Sequence, residues 1–235
     1  MARKKIIFII VEGPSDETAL GAVLSKLFDS SSVYIHVMRC DITTEKLSGN
    51  KTIVSSIGDV VSNYAKSRHF KKSDFQEIIH IADTDGAFIP NDSIIEDEQA
   101  EEVFYSEEEI RTKYKRRIEQ RNETKRNRMQ VLFSRNRIWD VPYNLFYMSC
   151  NLDHVLYNKL NSTDSEKESD AFAFAKKYRM LPDEFIKYIS ESDFSVMTDY
   201  KTSCEFIQQG LHSLNRYTNL GLCFLENSPD ILTES

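Results

Sequence analysis

Residues 5–16 read KIIFIIVEGPSD: six consecutive apolar side chains, most of them β-branched, that stop at Glu12. A run this short and this apolar is what a strand buried on both faces of a parallel sheet requires. The strand spans Lys5 to Val11. Beyond it Ser15 can cap a helix, and Ala19, Leu20, Val23, Leu24, Leu27 and Phe28 recur at helical spacing. Val33–Met38 reads as a second strand. Ile53–Ala65 reads as a second helix, with Ile53, Ile57, Val60, Val61 and Tyr64 on its buried stripe. Glu77–Ala82 (EIIHIA) is a third strand and ends at Asp83-Thr84-Asp85-Gly86. Strand and helix alternate, so the fold class is α/β: a small, Rossmann-like parallel sheet flanked by helices, with right-handed crossovers.

The pattern then changes. Residues 91–109 hold nine acids and no base, and residues 111–128 hold nine bases against Glu119 and Glu123. The basic block reads as one long polar helix within a charged insertion at about 90–130. Glu107–Arg111 and Glu109–Lys113 would be its favourable i,i+4 pairs. Such a run is either a solvated face or a phosphate-binding face carried by Arg116, Arg117 and Arg121, and both readings stay open. The acidic block could shield those bases until substrate displaces it. Asn144–Met148 is a fourth strand, followed by Ser149-Cys150-Asn151-Leu152-Asp153; the rest is mainly helical, with a polar loop at 161–169 and a helix opened by Pro182 and Asp183. The expected division is a catalytic α/β domain over 1–160 and a helical extension packing on it over 161–235.

Composition removes several classes. The chain has 235 residues, 40% of them hydrophobic and 11% aromatic, which is ample for a folded core. Its net charge of −7 is not that of a generic nucleic-acid coat protein. No run of 18 apolar residues exists, so no membrane span is expected. The basic start resembles a signal peptide, but the apolar run stops at Glu12 with no small-residue cleavage site after it. Cys40, Cys150, Cys204 and Cys223 are scattered, which suits a reducing compartment; a cytoplasmic address is expected.

Three acidic groups follow the carboxyl ends of expected strands: Glu12 with Asp16, Asp83 with Asp85, and Asp153. Strand ends in an open parallel sheet line one crevice, where ligands bind. Carboxylates gathered there repel one another unless cations neutralise them, and hard oxygen ligands suit Mg²⁺ or Mn²⁺. Asp83 and Asp85 are two apart, so in a still-extended segment they point the same way. Asp and Gly after a strand are also ordinary turn residues; it is the repetition, EGxSD and then DxDG, that turn chemistry explains poorly.

Ile6–Asp16 (IIFIIVEGPSD) with Ile78–Gly86 (IIHIADTDG) resembles the Toprim domain shared by topoisomerases, bacterial primases, recombination-repair proteins and OLD-type nucleases. The resemblance spans about residues 4–160. It implies metal ligation by Glu12, Asp83 and Asp85. An acid four residues after the glutamate is similar to the OLD-like branch, which implies two ions and brings in Asp16. Ser149 and Asp153 are the nearest match to that branch's serine and acid after the fourth strand, at a looser spacing. The helical tail and the SCNLDHVLY stretch are similar to the RloB-like group of bacterial defence islands.

The resemblance therefore implies a metal-dependent nuclease acting on DNA or RNA with two Mg²⁺ or Mn²⁺ ions, in bacterial or phage defence. Arg135, Arg137 and Lys201 are candidates to balance transition-state charge. The rival expectation is a catalytically silent Toprim-like binding or regulatory subunit of a defence or repair complex. No GxxxxGK[ST] occurs, so an ATPase, if used, would be a separate partner. His80 alternates with apolar neighbours and reads as a core residue; His154, next to Asp153, is a weaker site candidate.

Overall fold

The first strand, β1 (Lys5–Val11), is buried from Ile6 to its end, as its unbroken apolar run requires. The structure is a computed structural model and describes residues 5–28, 33–39, 43–44 and 51–225. In it β1 pairs in parallel with β2 (Val33–Arg39) on one side and β3 (Phe75–Asp83) on the other. With β7 (Arg137–Ile138) and β8 (Val141–Met148) they form a five-stranded sheet of order β2-β1-β3-β8-β7.

The expectation of a purely parallel sheet needs correction, because β7 runs antiparallel to β8. Trp139 and Asp140 join them with φ values of 52° and 59°. Two left-handed residues in succession suit the twist of a tight hairpin. A two-residue strand carries no periodicity by which the sequence could announce it.

The helix after β1, α1 (Pro14–Leu27), is capped by Gly13 and begins at Pro14, not at Ser15. Proline is at home there, since its missing N–H would have had no partner in the first turn. The next helix, α2 (Ile53–Ser67), is capped by the Thr52 side chain, which accepts from the Ser55 N–H. It buries Ile53, Ile57, Val61, Tyr64 and Ala65, and the Tyr64 ring lies 5.1 Å from that of Phe8.

Two compact units share the chain. The first comprises Met1–Ala82, Thr124–Leu145 and Glu166–Pro182, and the second Asp83–Glu123, Phe146–Ser165 and Asp183–Ser235. Within the second, β4 (Ile94–Glu96), β5 (Phe104–Tyr105) and β6 (Ile110–Thr112) form a small sheet of order β4-β6-β5. This corrects the reading of 111–128 as one helix. Ile110 and Thr112 are buried while Arg111 and Lys113 are exposed, the two-residue period of a strand. The helix α3 (Lys115–Phe133) follows. Arg111 accordingly pairs with Glu109 at 2.5 Å along β6, not through the helical spacings expected. Ile89, Ile94, Ile110, Ile118, Cys150 and Leu214 make a core cluster of this unit.

The remaining helices are α4 (Leu152–Tyr157), α5 (Asp164–Tyr178), α6 (Pro182–Glu191), α7 (Tyr200–Phe206) and α8 (Leu222–Leu225). The expected loop at 161–169 is helix from Asp164 onward, where α5 starts; acids in a first turn suit the helix dipole. Among the described residues no helix is long and apolar enough to cross a membrane.

Gly86 sits at φ +67°, and a Cβ there would stand 2.7 Å from Leu214 and 3.0 Å from Ile110. Gly210, at φ +50°, has nothing within 4 Å of such an atom. Gly86→Ala should therefore lower stability by about 2–4 kcal/mol, combining left-handed strain with overpacking. Gly210→Ala should lose only the strain, about 1–2 kcal/mol. Denaturant unfolding of the two variants measures the difference, and equal losses would contradict the packing account.

Candidate functional site

Glu12 is the first residue past β1. The parallel register sets Ile10 against His80, so β1 and β3 end at the same edge of the sheet, and Asp83 is the last residue of β3. Glu12 does not stand alone there. Its Oε1 accepts from the Thr43 hydroxyl at 2.8 Å, and its Oε2 accepts from Lys125 Nζ at 3.2 Å. The Lys125 side chain is 0% exposed and that of Glu12 10%, so this is a buried ion pair. Arg128 donates to the Thr43 carbonyl at 3.0 Å and holds the third member in place.

The sequence reading missed Lys125 because it lies in a basic run that resembles a solvated face. A signal was present. Ile118, Asn122, Lys125, Met129 and Leu132 are the buried positions of α3, spaced four, three, four and three apart. A lysine on the apolar stripe of a helix must have a partner.

Asp16 is buried near the start of α1. One carboxylate oxygen accepts from the Gly13 N–H at 2.9 Å and the other from the Ser15 hydroxyl at 3.3 Å. Burial raises its pKa above the usual carboxylate range, against the lowering effect of the Gly13 N–H, the Ser15 hydroxyl and the Lys167 charge. Both oxygens thus serve the helix cap in this structure.

Asp83-Thr84-Asp85-Gly86 is pinned through its middle. Thr84, fully buried, donates to the Ser213 carbonyl and accepts from the Cys150 N–H, both at 2.8 Å. Asp83 and Asp85 on either side are half-buried, so the alternation expected of them persists. The backbone does not stay extended, however, because Asp85 has φ +48°. Its N–H donates to the Cys150 carbonyl at 2.7 Å. Arg121 donates to the Asp85 carbonyl at 2.8 Å and to the Tyr105 hydroxyl at 2.6 Å, and Asn122 donates to the Gly86 carbonyl at 3.2 Å. Burial and the Asp85 charge push the Tyr105 hydroxyl up to about 12. The Arg121 guanidinium would be lowered by burial, but Tyr105 and Asp85 hold it above its ordinary value.

Arg121 is therefore a strut of the DxDG loop, which corrects its grouping with Arg116 and Arg117 as an exposed phosphate contact. Those two are exposed. Asp153 is buried in the first turn of α4. The Ser149 hydroxyl donates to the Asn215 carbonyl and accepts from the Tyr217 N–H, so its hydrogen-bonding capacity serves the backbone. His80 is buried in β3, with Nδ1 2.9 Å from the Tyr143 hydroxyl, the core position its alternation predicts. Arg135 and Arg137 are exposed, and Lys201 is an exposed partner of Glu205 at 3.7 Å; none of these three pairs with Glu12, whereas Lys125 does.

Among the described residues no three His, Cys, Asp or Glu side chains form a ready-made metal cage. Mg²⁺ does not require one: it is commonly held by one or two carboxylates together with waters and substrate phosphate. Glu12 in the first unit and Asp83 and Asp85 in the second are half-buried carboxylates, and Glu12 faces the buried Lys125 ammonium. No family model, curated protein or solved structure matches the chain.

Two predictions follow from these geometries. Lys125→Met removes the cation and leaves a buried carboxylate, so it should cost about 3 kcal/mol or more of stability. Adding Glu12→Gln should recover a large part of that loss, as read from a double-mutant cycle in denaturant; purely additive losses would contradict the pair. His154 is 1% exposed, and its Nδ1 has no hydrogen-bond partner among the described residues. Burial, with the Arg216 charge, lowers its pKa from 6.5 to about 4. Between those values the unfolded chain binds a proton that the folded chain refuses. Stability should hence fall as pH drops from about 6.5 toward 4. His154→Gln should flatten that part of the profile, and an unchanged profile would contradict the assignment.

Proposed function

We propose that the chain is a metal-dependent phosphodiesterase acting on nucleic acid, with a Toprim-like acidic edge built from Glu12, Asp83 and Asp85. The observation that carries this reading is the parallel pairing of β1 with β3, which ends an EGxSD segment and a DxDG segment at one sheet edge. A turn residue needs no such company.

Glu12, Asp83 and Asp85 would hold Mg²⁺ or Mn²⁺, with Asp16 joining only if it leaves the helix cap. A bound divalent ion would supply Lewis-acid polarisation of the phosphate and a lowered pKa for attacking water. The protein's own contribution is positional. Thr84 and Arg121 hold the DxDG loop that carries the two carboxylates. Lys125 fixes the Glu12 carboxylate and places a desolvated positive charge close to where phosphoryl charge would build up.

A second reading, a silent Toprim-like binding or regulatory subunit, is supported by one specific observation: both Glu12 oxygens already have partners in Thr43 and Lys125. The two readings differ in a single assay. A phosphodiesterase cleaves a labelled oligonucleotide with Mg²⁺ or Mn²⁺, loses at least a hundredfold in rate in Asp83→Asn, and stops in excess chelator, with the melting curve of the variant unchanged. Asp16→Asn keeps an oxygen for the Gly13 N–H, so a strong loss of activity there assigns Asp16 to the metal and retained activity assigns it to the cap. No cleavage by the unsubstituted protein under either metal, or cleavage indifferent to Asp83, rejects the phosphodiesterase.

A further inference from the structure

We infer that the groove at the start of α3 is a binding site for single-stranded nucleic acid, with Tyr114 as its stacking platform. A groove of about 680 Å³ is lined by Glu96, Tyr114, Lys115, Arg116, Arg117 and Glu119, all within the second unit. Lys115, Arg116 and Arg117 are consecutive, and among the described residues none of their side chains makes a hydrogen bond or ion pair. Three uncompensated cations in the first turn of a helix also oppose its dipole. The net charge is −7, yet none of the nine described acids in the preceding residues 91–109 pairs with these three cations. An anion bound in the groove removes both penalties.

Tyr114 selects among anions. It is 60% exposed, an unusual place for a large ring, and directly precedes the three cations. An aromatic face beside a row of positive charges is the arrangement that stacks a base while the phosphates are neutralised. A duplex keeps its bases stacked on one another and offers the ring none, so the groove favours an unpaired strand. Glu96 and Glu119 repel phosphate and can accept hydrogen bonds from the amino groups of a splayed base, which confines the backbone to the Lys115–Arg117 side. Arg121, committed to the Asp85 carbonyl and Tyr105, is not part of this surface.

The inference deepens the proposed action on nucleic acid and rests on that reading. It is tested by fluorescence anisotropy of a labelled 20-nucleotide single strand and of its duplex, in EDTA so that cleavage plays no part. The expected result is tighter binding of the single strand. Tyr114→Ala should weaken it at least fivefold with an unchanged salt slope, since stacking releases no counterions. Arg116→Glu with Arg117→Glu should flatten the log–log salt slope by about 0.7 for each lost contact. Lys176→Gln, an exposed control outside the groove, should change nothing. Equal binding of strand and duplex, indifference to Tyr114→Ala, or affinity only for anionic phosphatidylserine vesicles would overturn the inference. A chain that binds in this way and never cleaves refutes the phosphodiesterase alone; one that cleaves yet ignores Tyr114 refutes the groove alone.

Discussion

A carboxylate placed at the end of an apolar strand must be compensated, and the contact between Glu12 and Lys125 does this. β1 is too apolar to be anything but a buried strand, so Glu12 follows it into a site where only 10% of the side chain is exposed. An ionised carboxylate in such surroundings is tolerated only when paired and hydrogen-bonded. Lys125 and Thr43 meet the two demands, one for each oxygen. The contacts reach outward through Arg128, which donates to the Thr43 carbonyl, and along α3, whose buried face holds Ile118, Met129 and Leu132 beside Lys125.

The same helix face carries Arg121 and Asn122, which hold the carbonyls of Asp85 and Gly86. The left-handed backbone at Asp85 is the kind of conformation that persists only where neighbours over-determine it. Thr84, Arg121, Asn122 and the packed surroundings of Gly86 do so here. The loop held this way carries two half-buried carboxylates, Asp83 and Asp85.

Much of the first unit was legible in its sequence because its elements are long and periodic. KIIFIIV and EIIHIAD are strands by composition alone, and the α2 stripe is helical by spacing. The second unit resisted for a physical reason: strands of two or three residues, such as Phe104–Tyr105, draw their definition from partners elsewhere in the chain. Charge misled in both directions. The basic run concealed Lys125, whose burial is encoded in the four-three spacing of α3, and it exaggerated Arg121, which is spent on the Asp85 carbonyl and the Tyr105 hydroxyl. The EGxSD and DxDG segments were visible as acids after strands, but not that Asp16 caps a helix or that Asp85 leaves the extended region.

The proposed phosphodiesterase would need Glu12 and Asp83 to take up a divalent cation when phosphate is present. Electron paramagnetic resonance of Mn²⁺ tests it directly, since the free ion's signal is lost on binding. With a non-cleavable phosphorothioate oligonucleotide, the unsubstituted protein should take up Mn²⁺, and the Glu12→Gln, Asp83→Asn double variant should not. Absence of uptake by the unsubstituted protein, or equal uptake by both, would contradict the account.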